Sequence, residues 1–291
     1  MILQNYLQTT RSLAKLNSLE DIRHLTGDHS EIYTNALVAI CASYRMVKIE
    51  GGVLPSSSQY LAGAKVESFA IGKYAVTNQE WQDVRLWGNA NGFEIDLAES
   101  GSRSLLEISH PKHPVVGINW YDCLKWCNAK SAMEGLKPVY GVKGQQDFFS
   151  KGEYGNNALD EIVILSQGEG YRLPSIIEWE WAAQGGNKSQ NYTFAGGNDI
   201  IEVAWYSGNS EGKIRQVGLK KPNELNLYDM SGNIYEWCWV CEEKYEDGDT
   251  KYWCRGGGAD EIDCEISSLI VSCEPDTCSD EVGFRIAQNL K

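Results

Sequence analysis

The chain holds 291 residues, 42% of them hydrophobic, enough to bury the core of one large domain or two modest ones. Its formal net charge of -14, with no clustered Lys or Arg, excludes a nucleic-acid footprint, which needs a concentrated basic patch against phosphate. Ten Trp, fifteen Tyr and twenty-nine Gly combine large flat side chains with many positions free to turn, which favours a loop-rich mixed α and β domain.

Residues 1–45 carry Leu13, Leu16, Leu19, Ile22 and Leu25 at spacings close to one helical face, and they read as a helical extension ahead of the main domain. The apolar run Ala36-Leu37-Val38-Ala39-Ile40-Cys41-Ala42 is too short to span a bilayer, so no membrane-spanning or targeting segment is expected in this chain. At Met46-Val47-Lys48-Ile49-Glu50 alternation sets in and runs into Gly51-Gly52, a strand entering a turn, so the main domain is expected over residues 46–291. Three helix starts follow from a side-chain oxygen placed three residues before a carboxylate: Thr77 with Glu80, Asn119 with Asp122, and Ser175 with Glu178. After Asn119, the positions of Trp120, Cys123, Leu124 and Cys127 define one buried helix face, which makes both thiols core filler. Residues 141–170 lack periodicity and read as an excursion, and beyond the third helix short strands alternate with turn signals such as Ser231-Gly232-Asn233.

The tail is different in kind. Tyr252-Trp253-Cys254-Arg255-Gly256-Gly257-Gly258 and Gly283-Phe284-Arg285-Ile286-Ala287 bracket a stretch of Asp, Glu, Ser, Thr and Cys that satisfies neither helical nor strand periodicity. Such a stretch reads as a binding loop or as a lost active site.

The string Asn223-Glu224-Leu225-Asn226-Leu227-Tyr228-Asp229-Met230-Ser231-Gly232-Asn233-Ile234-Tyr235-Glu236-Trp237 resembles the signature of the formylglycine-generating enzyme family, the sulfatase-modifying factors. Lys73-Tyr74-Ala75-Val76-Thr77-Asn78, His113-Pro114-Val115-Val116 with Trp120-Tyr121-Asp122, and Tyr171-Arg172-Leu173-Pro174-Ser175 with Glu178-Trp179-Glu180-Trp181 agree in order, as do the two ends of the tail. The resemblance covers about residues 46–289 and implies an α+β fold, the C-type lectin variant with few helices packed on small antiparallel sheets and much irregular chain. Active members of that family carry two thiols in a C-x4-C pattern between Arg-Gly-Gly and Gly-Phe-Arg. Cys273 and Cys278 have that spacing, but counting back from Pro275-Asp276 places the expected thiols near Ile262 and Ser267. Without thiols at those positions, catalysis and a resident cofactor are not expected; an oxidoreductase using a displaced Cys273 and Cys278 pair is the alternative. Four His in the chain, none in a facial-triad spacing, argue against the iron-dependent relatives. Cys238 and Cys241 lie in a strand pattern that points them to opposite faces, which argues against a zinc site. Asp229, Asn233 and Glu236 supply hard oxygens around a turn and are weak calcium candidates beside the plainer reading that they close turns.

The same frame is similar to that of the variable proteins of diversity-generating retroelements, whose hypervariable tract runs between these two marks. That resemblance implies a non-enzymatic protein, displayed at the cell surface, with a variable segment over about 252–287. The candidate ligand-binding residues are Ala259, Asp260, Glu261, Asp263, Leu269, Ile270, Ser272, Cys273, Thr277, Cys278, Ser279, Asp280 and Glu281, with a protein or glycan as partner.

Overall fold

The three capped starts open the three longest helices among the described residues of the structure, a computed structural model that describes residues 45–58, 60–96, 110–145, 147–152, 161–239, 252–266 and 270–290. The helical extension expected before residue 45 lies outside the described residues. The chain divides into two compact units, Met1–Met46 and Val47–Lys291, and the second carries every element that bears on the site. Helix α1 (Asn78–Ala90) and helix α3 (Ile176–Ala183) begin with full capping boxes: Glu80 returns a bond to the Thr77 N–H at 3.0 Å, and Glu178 to the Ser175 N–H at 2.8 Å. Helix α2 (Trp120–Met133) has only half of one. Asn119 Oδ1 accepts from the Asp122 N–H at 2.8 Å, but the Asp122 carboxylate is engaged at 2.7 Å by Lys125.

That pair exists because α2 is buried beyond the expected stripe. Cys123, Leu124 and Cys127 are inaccessible, and so are Lys125 and Asn128 on other faces. Burial pushes the Asp122 carboxyl up and Lys125 opposes the shift. Asn128 closes a neighbouring turn through four backbone bonds, to the carbonyls of Tyr140 and Phe149 and from the N–H groups of Val139 and Tyr140.

Two four-stranded sheets organise the unit. The first contains β1 (Met46–Ile49), β4 (Phe69–Gly72), β12 (Ala287–Asn289) and β7 (Tyr171–Arg172) in that spatial order; β2 (Gly52–Val53) and β3 (Lys65–Val66) form a separate pair. A further pair, β5 (Tyr140–Val142) with β6 (Ile162–Ile164), gives order to both ends of the expected excursion. The second sheet holds β10 (Ile270–Cys273), β9 (Tyr252–Arg255), β8 (Tyr235–Trp237) and β11 (Val282–Phe284).

The second sheet departs from the sequence reading in two ways. Ile270–Cys273 is a strand inside the tail, aligned on β9 with Ile270 opposite Arg255 and Cys273 opposite Tyr252. A run of four residues is too short to show a period by itself, and the edge of β9 supplies its hydrogen bonds. In addition, β11 lies parallel to β8, with Gly283 opposite Glu236, amid otherwise antiparallel pairings. At Gly283 a Cβ would stand 2.1 Å from the Val115 carbonyl oxygen, so only glycine lets β11 pass. Phe284 then meets Trp81 and Trp126 edge-on at 5.9 and 5.3 Å, while those two indoles stack at 6.1 Å.

Candidate ligand-binding surface

Each end of the tail is fixed by an arginine with no exposed surface. Arg285 forks onto Glu236 at 2.6 and 2.7 Å and donates two further hydrogens to the carbonyls of Gly72 and Tyr228. Glu236 also accepts the Trp179 indole N–H at 2.7 Å, so its carboxylate is wholly committed. Arg255 donates to Glu180 of α3 and to the Ile266 carbonyl, both at 2.7 Å, and its guanidinium lies over the Trp179 ring at 5.4 Å. One tryptophan thus sits between the two ion pairs, and bidentate or multiply bonded Arg is the side chain suited to that burial.

The three weak calcium candidates are committed within the same scaffold. Asp229 and Asn233 adopt left-handed backbone at φ 55° and 72°, a conformation that Asp and Asn tolerate in turns. Asp229 Oδ2 accepts from the Gly218 N–H at 2.7 Å, and burial pushes its carboxyl up to about 6. Asn233 accepts from the Arg215 N–H and donates to the Arg215 carbonyl. With Glu236 in its ion pair, the bonds of these three side chains close turns and hold a buried charge, in line with the plainer reading of the turn. Cys238, the described half of the C-x2-C pair, is buried, and Cys241 lies outside the described residues.

Between the arginines the chain is held through its backbone. Gly256 and Gly257 turn at φ 109° and 84°, and the Gly256 carbonyl accepts from the Gly232 N–H at 2.7 Å. The Ser210 hydroxyl donates to the Ala259 carbonyl, Ser207 N–H to the Glu261 carbonyl, Trp120 N–H to the Pro275 carbonyl, Gly117 N–H to the Ser279 carbonyl and Tyr235 N–H to the Glu281 carbonyl. Side chains there differ in exposure. Asp260, Asp263 and Ser272 are exposed, while Glu261, Cys273, Thr277, Cys278, Ser279, Asp280 and Glu281 are half-buried. Ile262, at one expected thiol position, is 85% exposed. Ser267, the other, lies outside the described residues, as does Leu269; Ile270 takes part through its backbone in β10. Ala259 is 1% exposed, so it lies beneath the surface on which the sequence placed it. The Tyr235 hydroxyl donates to Glu261, a link between scaffold and segment with no signal in the sequence.

Residues 256–282 contain no Lys or Arg, and their Asp and Glu give the segment one sign of charge. Its thiols differ in environment. Cys264 is buried and pushed up to about 12 by burial and by Asp263, Glu261 and Asp260. Cys273 is drawn down by a hydrogen bond from Cys254 of β9, a neighbour that the sequence reading did not bring to the site; the C-x4-C spacing had paired Cys273 with Cys278.

The model of the sulfatase-modifying factor enzyme 1-like domain, FGE-sulfatase, matches residues 40–290. The chain is 36% identical over 234 residues to "Chaperone protein LppX" of Paenibacillus barcinonensis, covering 73% of this chain and 77% of that protein. Among solved structures, CarF is similar at TM-score 0.73 and 27% identity, over 84% of this chain and 98% of that one. Variable protein 1 of Treponema denticola is similar at TM-score 0.67 and 28% identity, over 84% of this chain and 95% of that one. Few helices, small sheets and these likenesses make the fold an α+β, C-type lectin-like fold.

Proposed function

We propose that this chain, which belongs to the sulfatase-modifying factor enzyme 1-like domain family, is a non-enzymatic binding protein that presents residues 259–281 to a protein or glycan ligand. One observation carries the reading: the segment is fixed by buried arginines at its ends and by its own carbonyls between them, while Asp260, Ile262, Asp263 and Ser272 face outward. Side chains at such positions change without disturbing a core. Asp and Glu offer hydrogen-bond acceptors to a ligand, and Ile262 offers apolar contact. The likeness to a Treponema denticola variable protein supports a segment diversified by a retroelement. The relative bearing the name chaperone supports a polypeptide as the partner.

Two experiments test this. The gene's neighbourhood is sequenced for a reverse transcriptase and a near-copy of the last part of the coding region; absence of both removes the retroelement origin. A variant with Asp260, Ile262, Asp263 and Ser272 all changed to Asn is compared with the unaltered chain on a glycan array and on a displayed peptide library. The reading expects binding to be lost with stability held within about 0.5 kcal/mol per substitution, as for surface sites generally. Unchanged binding, or collapse of the fold, refutes it. Conversion of a Cys-containing peptide in the presence of copper and oxygen would instead favour the family's oxidase chemistry.

A further inference from the structure

Strand pairing brings two thiols together that no local spacing connects. In the β9–β10 ladder Cys254 lies opposite Val271 and Cys273 opposite Tyr252. Side chains alternate along a strand, so these four residues share one face and the two cysteines are diagonal neighbours on it. Cys254 acts on Cys273 strongly enough to lower its thiol, and both cysteines are free. Their surroundings differ. Cys254 is wholly buried and burial raises its thiol far above the ordinary range, whereas Cys273 is half-buried on β10, the edge strand of its sheet. Donation from Cys254 favours the thiolate at Cys273, and the thiolate is the nucleophile in disulfide exchange. A half-buried attacking sulfur with a shielded second sulfur diagonally beside it is the arrangement of an attacking and a resolving thiol.

We propose that Cys273 and Cys254 form a two-thiol modification site that reacts with small disulfides of the glutathione class and closes to a disulfide between β9 and β10. The Cys273 thiolate attacks one sulfur of the small disulfide. Its S–S bond breaks, a mixed disulfide forms on Cys273, and the departing thiolate takes a proton from solvent. Cys254 then releases its proton to solvent and attacks the Cys273 sulfur, displacing the second small thiolate, which is protonated in turn. Two protein thiols are thereby oxidised by two electrons, and one small disulfide is reduced to two thiols. Because the residues are diagonal, closure draws the end of β10 towards β9 and ties off residues 255–272, with exposed Ile262 inside the loop. This chemistry does not depend on the ligand-binding reading.

The test incubates the full reduced chain in glutathione buffers of rising oxidised share, quenches with acid, alkylates and maps peptides by mass spectrometry. A peptide joining Cys254 to Cys273 should accumulate, with glutathione on Cys273 only as a transient. Cys254→Ser, checked for folding by near-UV circular dichroism, should turn that transient into a stable adduct. Persistent glutathione on Cys273 of the unaltered chain, a link from Cys273 to Cys278, or no linked peptide at full oxidation overturns the proposal. If Cys254→Ser does not fold, Cys273→Ser at the half-buried edge position decides: Cys254 must then take up no glutathione, and modification there overturns the site.

Discussion

Removing Arg285 is the sharpest perturbation of the frame. Its side chain, itself without solvent access, makes two bonds to Glu236, at 2.6 and 2.7 Å, and one each to the carbonyls of Gly72 and Tyr228, at 3.0 and 3.1 Å. In Arg285→Met the Glu236 carboxylate stays buried, with only the Trp179 indole N–H as a described side-chain partner. Leaving one charge of a buried pair uncompensated costs about 3–5 kcal/mol. Each of two carbonyls losing a donor adds about 1 kcal/mol, so the total is about 5–7 kcal/mol against a usual stability of about 5–15 kcal/mol.

Urea unfolding followed by tryptophan fluorescence measures the loss, and at about 2–4 °C per kcal/mol for a domain of this size it should lower Tm by at least about 10 °C. Adding Glu236→Gln to Arg285→Met removes the stranded charge while keeping an acceptor for Trp179, and should restore part of the loss. A single-variant loss below about 1.5 kcal/mol, the range of an ordinary neutral hydrogen bond, would refute the argument that this ion pair fixes the frame. So would a double variant no more stable than the single one.

Four further outcomes are expected. Asp229, at about 6 in the folded state and near the ordinary carboxylate range when unfolded, binds its proton more tightly folded, so it makes stability fall as pH rises from about 4 to about 6, by about 3 kcal/mol; Asp229→Asn should flatten that part of the stability–pH curve, and an unchanged slope contradicts the assignment. Gly283→Ala puts a methyl 2.1 Å from the Val115 oxygen and should cost at least about 2 kcal/mol in urea unfolding. Ser175→Ala removes the acceptor of the Glu178 N–H at the start of α3 and should cost about 1 kcal/mol, read as a shift of the urea midpoint at constant slope. Within the tail, Cys264→Asp buries a charge and should cost about 2–4 kcal/mol, while Asp263→Ser next to it stays within about 0.5 kcal/mol; equal costs at the two positions would show that burial does not divide the segment as described.

The parts of this fold that were legible in the sequence are those with local chemistry. Thr77, Asn119 and Ser175 announce helices because a cap and its carboxylate lie within one turn. Gly256, Gly257 and Gly283 mark places where a side chain is strained or impossible. What stayed hidden depends on distant partners. Nothing near Arg255 or Arg285 indicates that Glu180 and Glu236 will meet them in a dry interior, and a buried arginine reads in sequence like an exposed one. β10 exists because β9 offers an edge, and Cys254 comes diagonally beside Cys273 only through that pairing. Asp229, Asn233 and Glu236 illustrate the remaining ambiguity: a turn rich in side-chain oxygens serves a cation or the backbone, and only the direction of each oxygen decides.

The hydrogen bonds that hold the tail would let a fixed scaffold and a changeable surface coexist in one segment. Gly117, Trp120, Ser207 and Tyr235 supply backbone N–H groups, and Ser210 a hydroxyl, to carbonyls of residues 259–281. Every residue type carries a carbonyl, so these bonds survive a change of side chain, whereas a segment held by its own side chains would lose its shape with each substitution. The burden of side-chain specificity falls instead on the scaffold, on Glu180, Glu236 and Trp179, and on the two arginines that end the segment. The exceptions mark where change is restricted: Ala259, Cys264, Ile266 and Pro275 are buried within the segment, so they are bound by packing as core residues are. Diversity compatible with this fold is therefore confined to outward positions such as Asp260, Ile262, Asp263 and Ser272.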